Sequence, residues 1–72
     1  EISGTGTIFL NEIGKPVLHL HIACGRKGNT HTGCARQGVK IWNVGEVIIF
    51  EILNVHSKRI LDKVTGFELL QP

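Results

Sequence analysis

Apolar and polar positions alternate most clearly over residues 16–24, Pro-Val-Leu-His-Leu-His-Ile-Ala-Cys, and this two-residue period predicts a β-strand. Successive side chains of a strand point to opposite faces. Leu18, Leu20, Ile22 and Cys24 therefore share one face, and Val17, His19, His21 and Ala23 share the other. The first face reads as core. The second sets two imidazoles side by side, their Cα atoms roughly 6–7 Å apart from the strand rise. Both rings can then converge on one metal ion, for which neutral imidazole is the commonest ligand.

The same reading predicts a β-rich chain. Residues 1–7 alternate Gly4 and Gly6 with Ser3, Thr5 and Thr7, either as a lead-in or as a strand with close backbone approach at the glycines. Residues 7–10 form a strand, Gly14 is the turn residue, and Pro16 opens the next strand, giving a hairpin with a loop of about five residues. Residues 25–33 are rich in turn residues without an apolar period, and read as a loop or the tip of a second hairpin. Residues 34–38 form one turn at most.

Residues 39–53 are the longest apolar segment. Ile, Val and Phe dominate from Val47 onward, as in a strand covered on both faces, and Gly45-Glu46 marks a bend dividing the segment into two strands. Its β-branched content argues against a helix. Residues 54–57 are a turn, and residues 58–63 and 65–70 make a final pair joined near Gly66. Internal repeats are absent.

Length sharpens this picture. Seventy-two residues make one domain, residues 1–72, of a size that buries only about 60% of its unfolded surface and leans on metal, disulfides or partner subunits. Cys24 and Cys34 could form one bridge, but nothing resembles a secreted disulfide framework. Reduced thiols and a cytoplasmic location are the expectation. No apolar run is long enough to span a bilayer. The net charge of +2 is mildly basic without a concentrated footprint for nucleic acid. Arg26, Lys27, Arg36 and Lys40 surround the 25–33 loop, as candidates for holding a phosphate-like anion or nucleic acid, or as ordinary solvated charges.

His19-Leu-His21, Gly25-Arg26, the turn at Gly33, Gly38 before a strand, Gly45-Glu46-Val-Ile-Ile and Arg59…Asp62…Thr65-Gly66 occur in an order that resembles the PPC (plant and prokaryote conserved) domain, specifically its later portion. The resemblance implies an α+β fold on a mainly antiparallel sheet, assembled as a homotrimer. Plant members carry AT-hook motifs beside the domain and bind DNA in the nucleus. This chain has no AT-hook, so any DNA contact is expected to be weak and salt-sensitive.

The family pattern places a third histidine with the His-x-His pair, and here Thr32-Gly33-Cys34 occupies that place. A cysteine thiolate is a good zinc ligand, so the resemblance implies a site of His19, His21 and Cys34 for zinc or another divalent transition metal, with His31 as a substitute. Three ligands and an open position also suit a zinc enzyme. Glu46 is then the one candidate proton carrier, unless Arg59 neutralises it. The leading expectation is a metal-binding, homotrimeric assembly module with a DNA-binding label. The alternatives are a zinc hydrolase of unknown substrate and a small-anion or nucleotide sensor.

Overall fold

The computed structural model describes all 72 residues, and its regular structure is entirely strand: β1 (Ile2–Leu10), β2 (Pro16–Arg26), β3 (Asn29–Ala35), β4 (Lys58–Leu61) and β5 (Glu68–Gln71). β1, β2 and β3 form one antiparallel sheet in sequential order, and β4 pairs with β5 as a separate hairpin. The two are joined at a single parallel bridge between Asn11 and Arg59. The fold is thus mainly antiparallel β, as expected, and this chain contains no helix.

The first hairpin turns over residues 11–15 as its residue types dictate. Asn11 Oδ1 accepts the backbone N–H groups of Ile13 (3.1 Å) and Lys15 (2.9 Å), while Gly14 takes the left-handed φ of 80° that a side chain resists. The second turn is tighter than the sequence suggests. Only Lys27 and Gly28 lie outside the ladder, both with positive φ (51° and 80°), the conformation of a two-residue hairpin whose twist matches its strands. Of the two readings of residues 25–33, the second hairpin is the one that forms, and residues 29–35, including the expected short turn from Cys34, are its strand β3, paired along β2 from Arg26↔Asn29 to Leu20↔Ala35. Backbone pairing with β2 overrides their polar, unpatterned composition.

The larger correction concerns residues 39–53. The two expected strands do not form, and no strand occurs anywhere in residues 36–57. Strand composition cannot make a ladder without a neighbour, and none reaches this segment. Its apolar side chains face outward, Phe50 being 86% exposed and Trp42 81% exposed. One tie is visible: the Arg26 guanidinium carbon sits 5.3 Å from the Trp42 ring centroid, in cation–π range.

No apolar residue is buried, and the one buried residue of the chain is Arg59. The Cα radius of gyration is 14.6 Å, against about 11 Å for a compact chain of this length. The chain makes 25 backbone–backbone hydrogen bonds, where a closed fold of this size makes roughly 50.

The glycines of β1 have a packing reason. A Cβ at Gly6 would lie 2.5 Å from the carbonyl oxygen of His19 and 2.9 Å from the Cα of Leu20, and at Gly4 it would lie 2.7 Å from the carbonyl oxygen of His21. Both close approaches fall on the strand that carries the histidines, so they set how near β1 can come to it. Gly33 has nothing within 4 Å of its Cβ position. Gly6→Val should therefore destabilise the protein by about 1–3 kcal/mol through overpacking. Gly33→Ala should be neutral or stabilising by up to about 1 kcal/mol, as expected for a strand glycine. Urea midpoints of both variants measure the contrast, and equal midpoints would contradict it.

Candidate metal centre

Register builds the site. On β2, His19 faces Thr7 of β1, and His21 faces Thr5 on one side and Cys34 of β3 on the other. Directly opposed residues share a face, so Thr5, Thr7, His19, His21 and Cys34 project from the same side of the sheet. The opposite face carries Ile8, Leu18, Leu20 and Ile22.

The two rings meet edge to edge. His19 Nε2 and His21 Nε2 are 2.8 Å apart, one donating and the other accepting a single proton, with ring centroids 4.8 Å apart. One ligand atom each from His19, His21 and Cys34 fall within 4.8 Å of one another. Two imidazole nitrogens on a tetrahedral zinc lie about 3.3 Å apart, and a nitrogen and a thiolate sulfur about 3.6 Å. The donor set fits such an ion once the shared proton leaves, the nitrogens part by roughly half an ångström, and the widest donor separation, 4.8 Å as the side chains stand, closes by about 1 Å. The chemistry agrees, because two neutral imidazoles and a thiolate are the ligand types zinc prefers.

Electrostatics favour the ligating form of His19, which is half-buried. Its pKa lies below the ordinary 6.5, first because its surroundings desolvate the imidazolium, then because the positive charges of Arg36, Arg59 and His21 disfavour another.

The other sequence candidates fall elsewhere. His31 pairs with Cys24, out of phase with Cys34, and so lies on the opposite face of the sheet, where it cannot replace Cys34 in the same cluster. Glu46 is exposed and belongs neither to the His–His–Cys cluster nor to the depression beside it. Arg59, its suggested partner, reaches Thr7 instead. Arg26, Lys27, Arg36 and Lys40 are all exposed, with Arg26 turned to Trp42 and Arg36 close enough to bias His19.

Residue pattern alone misses three members of the site. Thr5, Thr7 and Arg59 join Gly6, His19 and His21 around a depression of about 270 Å³ lined by no hydrophobic residue. The hydroxyls at Thr5 and Thr7 alternate with glycines, and that period was the available signal. Arg59 arrives from 52 positions beyond Thr7, donating from Nη2 to Thr7 Oγ1 at 3.0 Å, and no local pattern announces it.

The Plants and Prokaryotes Conserved (PCC) domain family model matches residues 1–53, and the chain belongs to that family. The matched stretch holds His19, His21 and Cys34 but stops before Arg59. Neither a curated protein nor a solved structure matches the chain. No helix is long and apolar enough to cross a membrane.

A histidine whose folded pKa is lowered supports folding above its unfolded value, and that support fades as acid protonates the unfolded chain first. With metal removed, stability should decline as the pH falls from about 6.5 toward 5. The decline should be shallower in His19→Gln. Urea midpoints at pH 7.5 and pH 5 test this, and identical pH dependence in the two proteins would assign the effect to another group.

Proposed function

We propose that this chain is a metal-binding assembly module: His19, His21 and Cys34 hold one zinc or similar divalent transition metal, and copies of the chain associate, as a homotrimer, to complete the fold. The convergence of two imidazoles and a thiol within 4.8 Å carries the metal reading. Bound there, the ion would tie β2 to β3 through Cys34 and stabilise the native state by mass action.

The association reading is supported by the absence of a buried apolar core and by the exposed apolar stretch from Val47 to Leu53. A contiguous apolar surface of that kind marks an interface more often than a solvated face. The number of copies follows the family resemblance, as does placement in the later portion of a longer α+β domain. DNA contact, if made by the assembly, is through phosphates and salt-sensitive, since no base-reading motif is present. The location proposed is cytoplasmic.

The hydrolase alternative lacks its proton carrier here, because Glu46 stands outside the depression. The module reading is therefore preferred.

Elemental mass spectrometry of untagged protein should find about one zinc per chain, His19→Ala should lose it, and Cys34→Ser should bind it more weakly. A full complement of metal in His19→Ala would place the metal elsewhere. Sedimentation should give a trimer, and a stable folded monomer would overturn the association reading.

A further inference from the structure

Arg59 is the one buried residue of a chain with no buried apolar side chain, only 8% exposed. A guanidinium carries five donors and a permanent charge, and burying it is unfavourable unless acceptors and a counter-charge meet it. The Arg59 side chain has one partner, the neutral hydroxyl of Thr7, which occupies Nη2. Its Nε is buried with no acceptor at all. The arrangement is an ion pair with one member missing.

The surroundings say what is missing. The depression that Arg59 walls is lined otherwise by Thr5, Gly6, Thr7, His19 and His21, with no carboxylate and no apolar side chain. Hydroxyls, imidazole N–H groups and a guanidinium all donate hydrogen bonds. At about 270 Å³ the space suits a small molecule and not a macromolecular segment. Arg36 adds positive charge near His19.

We propose that this depression is a receptor for a small oxyanion, a carboxylate or phosphate group, held by the Arg59 guanidinium and the Thr5 and Thr7 hydroxyls. An anion there supplies the counter-charge and the acceptors that the single Thr7 hydroxyl does not give the guanidinium. The planar guanidinium matches such groups by two parallel N–H bonds, which an ammonium cannot reproduce. When the neighbouring metal is bound, the same anion lies beside the ion's open position; that extension rests on the metal reading, whereas the Arg59 contact does not. The exposed Arg26, Lys27, Arg36 and Lys40 lack this built environment, so the anion site moves from the hairpin tip to the polar face of the sheet.

The test is calorimetric titration of inorganic phosphate and, separately, acetate into the full chain, with and without one equivalent of zinc. Saturable binding of at least one anion is expected. Affinity should fall roughly ten-fold in Arg59→Lys, fall about three-fold in Thr7→Val, and stay unchanged in Lys27→Gln. Thr7→Val keeps side-chain shape and sheet pairing, so it decides the matter if the arginine variant does not fold. No binding of either anion to the wild-type chain, or equal binding by wild type, Arg59→Lys and Thr7→Val, would overturn the proposal. Anion binding without zinc uptake would uphold the Arg59 site and sink the metal reading. Zinc uptake without anion binding would do the reverse. A preference for phosphate over acetate would identify the group, because the two differ in charge and shape.

Discussion

The His19, His21 and Cys34 cluster and the hydroxyls beside it depend on one register: His21 stands opposite Thr5 on one side and Cys34 on the other. A shift of a single residue in either pairing would send the hydroxyls or the thiol to the opposite face, since side chains alternate with a period of two. Two devices hold this register. The two-residue Lys27-Gly28 turn, with positive φ at both positions, permits only the pairing that brings Cys34 beside His21. On the other side, the glycines of β1 give the backbone of β2 a close approach that any side chain at Gly4 or Gly6 would prevent. The chemistry at His19 and His21 is therefore specified partly by residues that have no chemistry of their own.

The second constraint is a deficit. Five strands with no buried apolar residue cannot draw much stability from the hydrophobic effect, which scales with apolar area removed from water. The apolar material exists; residues 39–53 hold much of it, and the structure leaves it facing outward. A metal linking β2 to β3 and a neighbouring surface covering residues 47–53 would address separate parts of the deficit, the first local and the second global. Neither would substitute for the other.

Much of the sheet was legible because its signals are local. The alternation in residues 16–24, the Asn11 and Gly14 turn and the Gly66 turn each lie within a few positions of what they determine, and β1, β2, β4 and β5 follow. The failures are non-local. β3 reads Asn-Thr-His-Thr-Gly, which resembles a loop until β2 supplies the partner that makes it a strand. Residues 39–53 present the converse: strand-forming side chains with no partner in reach. The His19, His21 and Cys34 cluster was accessible because two members share a strand, and the family resemblance pointed to the third. Arg59 was not accessible, since its role arises from a single bridge at Asn11 that carries β4 across the end of β1.

Charge connects these observations. The polar face of the sheet partly desolvates His19 and gathers Arg59, with Arg36 nearby, around two imidazoles, and desolvation first and these charges second favour the neutral form of His19. Neutral imidazole is the form a metal requires, so the two arginines lower the proton's ability to compete for His19. They also repel a metal ion. A dication bound through a single thiolate keeps a net positive charge, and placing it beside two guanidinium groups is unfavourable in proportion to their nearness. A small oxyanion between the metal and Arg59 would relieve that repulsion and give the buried guanidinium a counter-charge. On electrostatic grounds, metal and anion should each bind more tightly in the presence of the other. Linkage makes that coupling reciprocal, whatever the identity of the anion.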